Sequence, residues 1–209
     1  MSLKASAIRI VVCGLALAFA IAAPVRAEEA LRIKAVIEGQ AGPGLADGNR
    51  PVPVTIHLAE GKSRIDFNQR GAESIYMLID EQSGNGWLVD SGRAQALPAQ
   101  ARGFAELRVD PGEPCSGLGV QCRQIPARMI AGVRAQGWRY LGAGQRGPGG
   151  TARGEFWVDP ARGLILGYEG HRAGRSRMYK MQALSVVTVE DATELFELPD
   201  ADGGGRARY

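Results

Sequence analysis

The stretch Leu88-Val89-Asp90-Ser91-Gly92 makes the sharpest chemical suggestion in the chain. An Asp-Ser-Gly turn after an apolar strand is how paired aspartates share one proton and act as acid and base on a peptide bond. That chemistry needs two such acids. The sequence holds no second copy, and Arg93 stands where a small residue is needed. The stretch therefore reads as a strand that ends in a turn. His57, on the polar parity of a strand, and His171, at the end of another, read as surface residues, because a zinc site needs more ligands than they supply. No Gly-x-Ser-x-Gly elbow is present, and no glycine run is followed by Lys-Ser or Lys-Thr. No nucleophile, base and orienting group come together, so the expectation is a non-enzymatic protein without metal or cofactor.

The compartment follows from the first residues. Lys4 and Arg9 precede an apolar run from Ile10 to Ala23, and Val25-Arg26-Ala27 offers small residues for cleavage. Residues 1–27 read as a secretory signal peptide cut after Ala27, too short an apolar run for a membrane anchor. The expected location is the periplasm. Three of the 25 basic residues (Lys4, Arg9 and Arg26) leave with the peptide and no acid does, so 22 basic residues face 22 acidic ones. The balance gives no reason to expect a nucleic-acid partner. Cys115 and Cys122 remain, and in an exported protein they are expected to pair. In the chain-entropy model so short a loop gains only about 2.5 kcal/mol.

The elements that position these residues read as strands. Leu31, Ile33, Ala35 and Ile37 alternate with polar residues, as do Val52, Val54, Ile56 and Leu58, and Ile65 with Phe67. Ser74 to Asp80 is apolar on both parities and reads as covered on both faces. Asn85-Gly86 is a strong hairpin signal before Trp87-Leu88-Val89-Asp90. Asp159-Pro160-Ala161-Arg162-Gly163 is turn chemistry between two apolar segments and predicts a hairpin over residues 154–170. With residues 137–142 and 176–190, this predicts a mainly β domain over residues 28–199, with eight to ten antiparallel strands in meander order. Residues 98–107 read as a short helix with Phe104 and Leu107 on one face, and Asp191 as the cap of one turn. Residues 200–209 read as a disordered tail.

A sheet this large tends to curl, and a curled apolar face is a pocket. Trp87, Trp138 and Trp157 lie on predicted strands, where they either pack in the core or line a ligand surface. Phe104 and Leu107 would cover the hollow, and burying both favours closure by roughly 3–5 kcal/mol before ordering costs.

The order of motifs resembles one family. Gly154 to Gly170 resembles the W-V-D-P hairpin of periplasmic proteins related to the lipoprotein localisation factor, the LolA-like superfamily. Asp191 to Asp200 resembles their closing motif, and Lys62 to Asp80 one of their central strands. Residues 97–107 fall where those proteins place a helical insertion. The resemblance spans residues 31–199. It implies a strongly curved antiparallel sheet, an unclosed β-barrel, with one or two short helices plugging it. Well-known members carry acylated lipoproteins across the periplasm; others sense lipoproteins or have no assigned role. The carriers begin with a helix, whereas Leu31 here starts a strand almost at once after Ala27, as in the uncharacterised relatives. Two functions stay open. One is a binding protein for lipid or lipoprotein acyl chains. The other is an accessory protein with a packed interior that contacts an envelope protein.

Overall fold

The computed structural model describes residues 30–39, 50–68, 75–100, 107–190 and 192–199. The expected signal peptide, the expected tail and Phe104 lie outside these residues. The strands are β1 (Ala30–Glu38), β2 (Val52–Ala59), β3 (Lys62–Phe67), β4 (Ile75–Asp80), β5 (Asn85–Asp90) and β6 (Gln95–Gln100). They continue with β7 (Cys122–Ile130), β8 (Val133–Leu141), β9 (Arg153–Asp159), β10 (Leu164–His171) and β11 (Met178–Val189). All belong to one unclosed antiparallel sheet, in the order β6-β5-β4-β3-β2-β1-β11-β10-β9-β8-β7.

The sheet is thus two meanders joined at β1 and β11. Eleven strands exceed the eight to ten expected. The extra ones sit at the edges, where β7 and β6 lack clean alternation. Each edge strand carries a proline, Pro98 in β6 and Pro126 in β7, which removes a donor from the exposed edge and hinders pairing with another chain. Register shifts leave extra residues at Leu184 in β11, between Ile125 and Arg128 in β7, and at Leu166 in β10, and such bulges bend the strands that carry them.

Alternation decides the faces. Ile33, Ile56, Ile65 and Met77 stand side by side across β1 to β4 on the core face and are buried. Tyr76 and Leu78, on the other parity of β4, are buried too, so β4 is covered on both faces as its composition implies. There Ala30, Ala59, Tyr76, Leu78 and Val89 pack with Ala192 and Phe196 from the C-terminal segment. The 3-10 turn Thr193–Phe196 supplies that cover.

Two expectations change, at β6 and at the β4–β5 turn. Residues 98–100 are strand, paired with Asn85, Gly86 and Trp87, rather than the start of a helix. Helical structure among the described residues amounts to three 3-10 turns: Ser116–Leu118, Pro148–Gly150 and Thr193–Phe196. The β4–β5 turn also precedes Asn85. The Asp80 carboxylate accepts from the backbone N–H of Gln82 at 2.8 Å and Ser83 at 3.1 Å, and Gly84 takes φ +66°. That Asp-to-Gly turn leaves Asn85-Gly86 to open β5. The Asp159 turn forms as expected: Oδ1 accepts from the Ala161 N–H at 2.9 Å, and Gly163 takes φ +62°.

Candidate binding surface

Topology explains what covers the core face. β6 and β7 follow one another in sequence yet form opposite edges of the sheet. The chain between Gln100 and Cys122 therefore joins the two edges of the sheet. Its described part, residues 107–121, starts beside β2 and β10 and leads to the start of β7. Leu107 is buried there, its carbonyl accepts from the Ile165 N–H at 2.8 Å, and the Val109 N–H donates to the Gly163 carbonyl at 2.8 Å. Arg108 reaches the Leu58 carbonyl with Nη2 at 3.3 Å. Leu118, in the next turn, is also buried in the core. The Cys115–Cys122 disulfide forms, with a Cα–Cα distance of 6.0 Å, and ties this crossover to the start of β7.

The three tryptophans do not share one wall. Trp138 lies on the core face beside Phe156, and with the disulfide loop it lines an open cleft of about 560 Å³. Its Nε1 is buried with no partner among the described residues. Trp157 projects from the opposite face and is buried. Its Nε1–H donates to the Pro126 carbonyl at 3.2 Å, and the Arg128 guanidinium stacks 3.8 Å above its ring. Trp87 shares that opposite face further along the sheet, packed against the Tyr76 and Leu78 cluster. The structure therefore joins Leu107 and Trp138 to the core face and leaves Trp87 and Trp157 on the other.

A second depression lies beside Trp157. It holds about 300 Å³ between the end of β7 and the outer face of β1, β10 and β11. Met129 and Leu184 line it while 67% and 58% exposed. Arg128 and Glu169 face each other across it at 3.8 Å.

His57 is a correction: it is buried, not superficial. On the outer face of β2 it stands opposite Arg64, with Nε2 3.4 Å from Asp66. Arg64 donates to Asp66 at 2.7 and 2.9 Å and to the Leu195 carbonyl at 3.0 Å, and it stacks 3.8 Å over Tyr76. Burial pushes the Asp66 carboxyl up, but the hydrogen bonds and charges of His57 and Arg64 outweigh it and hold it below the usual range. The group anchors the C-terminal segment. Sequence reasoning missed it because its covering residues are far away in the chain. The polar parity of β2 and β3 was the available signal. His171, at the end of β10, places its Nδ1 3.1 Å from the Ser176 carbonyl. Asp90 caps its own turn, accepting from the Gly92 N–H at 3.0 Å, with Arg93 3.5 Å away.

No protein-family model and no curated protein matches the chain. Solved structures do. An uncharacterized conserved protein from Thermus thermophilus is 10% identical with a TM-score of 0.50, over 84% of this chain and 86% of that one. The MucA/MucB complex structure of Pseudomonas aeruginosa is 18% identical with a TM-score of 0.43, over 77% of this chain and 52% of that one. A LolA superfamily protein from Nitrosomonas europaea is 8% identical with a TM-score of 0.32, over 79% and 85%. The likeness to the Thermus thermophilus structure is one of fold. At these identities it concerns the fold alone.

Proposed function

We propose that this chain is a non-enzymatic periplasmic protein that holds an acyl chain, of a lipid or a lipoprotein, against the core face of its sheet. The crossover carries the reading. Among the described residues, Leu107 and Leu118 of this irregular segment pack into the apolar core that both meanders share. Backbone hydrogen bonds at Leu107 and Val109 and one short disulfide loop hold that segment. Such a cover is weakly held compared with a core strand and can open locally. The disulfide supports an oxidising compartment. Native mass spectrometry of protein purified from the periplasm tests the reading. A lipid adduct that organic extraction removes is the expected result; lipid-free protein that takes up no added palmitate would contradict it.

One observation favours a second reading, an envelope protein as partner. Met129 and Leu184 expose apolar surface on either side of the depression beside Trp157, with Arg128 and Glu169 to orient a segment laid there. A photo-crosslinker at residue 129 should then trap one envelope protein, and Leu184→Asp should abolish the product. Crosslinks unaffected by that substitution would exclude the groove.

A further inference from the structure

The charge balance of the mature chain conceals a strong asymmetry. Between residues 110 and 180 the sequence holds eleven Arg and Lys against five Asp and Glu. Three of these arginines meet at the end of the sheet away from the Asp159 turn. There the β8–β9 loop and the β10–β11 loop lie side by side, and Arg153, Arg172, Arg175 and Ser176 line a cavity of about 350 Å³. No acidic residue is among its lining residues. Arg153 and Arg175 have no carboxylate partner among the described residues.

The cavity is built rather than left over between loops. Arg172 is fixed from two sides: Nε and Nη2 donate to the Gly149 carbonyl at 3.2 and 3.0 Å, and its guanidinium lies 4.3 Å over the Tyr179 ring. Nη1 remains for a ligand. The Gly149 carbonyl is set by two successive left-handed glycines, Gly149 at φ +68° and Gly150 at φ +73°. The facing loop closes through the Arg175 N–H to the Arg172 carbonyl at 3.2 Å, and the Ala152 N–H ties the two loops at the His171 carbonyl, 2.7 Å away. A solvated charged patch needs none of this anchoring. Like charges held together without a counter-charge weaken a fold, so their clustering calls for an anion.

We propose that this cavity binds a phosphoryl oxyanion. Guanidinium forks match the oxygen geometry of phosphate, and the Ser176 hydroxyl adds a donor of another kind. The ligand is either a soluble phosphorylated compound or the headgroup of an anionic lipid; the chemistry recognised is the same. The site stands apart from the acyl reading, since it lies in loops at one end of the sheet.

Calorimetric titration of the purified protein with inorganic phosphate, against sodium chloride of equal ionic strength, tests the site. Saturable binding is expected, weakened roughly tenfold or more in Arg153→Gln/Arg175→Gln, both exposed positions that leave the core intact. Arg123→Gln/Arg134→Gln removes the same charge elsewhere and should leave binding unchanged. Co-sedimentation with phosphatidylglycerol vesicles, against phosphatidylcholine vesicles, separates the two sources. Sedimentation that needs Arg153 and Arg175 assigns a headgroup; phosphate binding without sedimentation assigns a soluble compound. Absence of both, or equal losses in the two double variants, overturns the proposal.

Discussion

The Trp157 indole fills the place that a side chain at Gly137 would need, and its Nε1–H passes across that glycine to the Pro126 carbonyl. A Cβ at residue 137 would stand 2.7 Å from Trp157 Nε1, from Ile125 Cγ1 and from the Pro126 oxygen. Nothing there can yield without moving β7. Gly137→Ala should therefore cost about 1–3 kcal/mol. That lowers Tm by roughly 3–10 °C for a chain of this size. Thermal melting checks it, and an unchanged Tm would mean that Trp157 does not lie over β8.

Tyr140 and Thr151 form a buried hydroxyl chain. Thr151 donates its proton to the Pro148 carbonyl at 2.6 Å, so Tyr140 is the donor to Thr151. Burial pushes the Tyr140 phenol up to about 12, the bond to Thr151 drawing it back slightly. The unfolded chain loses that proton near the ordinary value of 10.0, the folded one only near 12. Stability should fall as pH rises through this window. Tyr140→Phe should cost about 1–2 kcal/mol at neutral pH and reduce the alkaline loss, as denaturant unfolding at about pH 7 and about pH 11 will measure.

The legible parts of the fold are those with one wet face. In β1 to β3 every second residue meets the core, so alternation alone locates them. β7 and β6 escape because edge strands need no such pattern: Arg123, Gln124 and Arg128 are exposed, and Pro98 reads as a helix start. Residues 98–100 are strand because Trp87 and Pro98 stand opposite each other, a long-range pairing that local propensity does not see. The β4–β5 turn shifted because Asp80 captures two N–H groups before Asn85-Gly86 is reached. The burial of Leu107 and the pairing of the cysteines agree with local pattern and spacing. The burial of His57 was not legible there, since the segment anchored through Arg64 lies 131 residues away.

Asp66 should make the C-terminal segment acid-sensitive. Its pKa is lowered in the fold, so its contribution is present above the ordinary value of 3.8 and is lost as pH falls through the depressed one. Asp66→Asn should destabilise by roughly 1–2 kcal/mol at neutral pH. The gap to wild type should close as pH falls through that depressed value. A gap that stays constant with pH would remove the carboxylate from the account.

The disulfide closes a short loop, its cysteines 7 residues apart in sequence. Cys122→Ser should lose only about 1–3 kcal/mol and keep its β spectrum. Complete unfolding of the variant, or two reactive thiols in exported protein, would contradict this.

The cover over the core face is open to direct measurement with a fluorescent acyl probe. Wild type should bind it saturably at micromolar concentration. Leu107→Asp, which breaks the apolar contact holding the crossover down, should shift the affinity several-fold and change the Trp138 emission. If neither protein binds the probe and the variant is merely less stable, the core face is a filled interior, and the chain works through its outer surface instead.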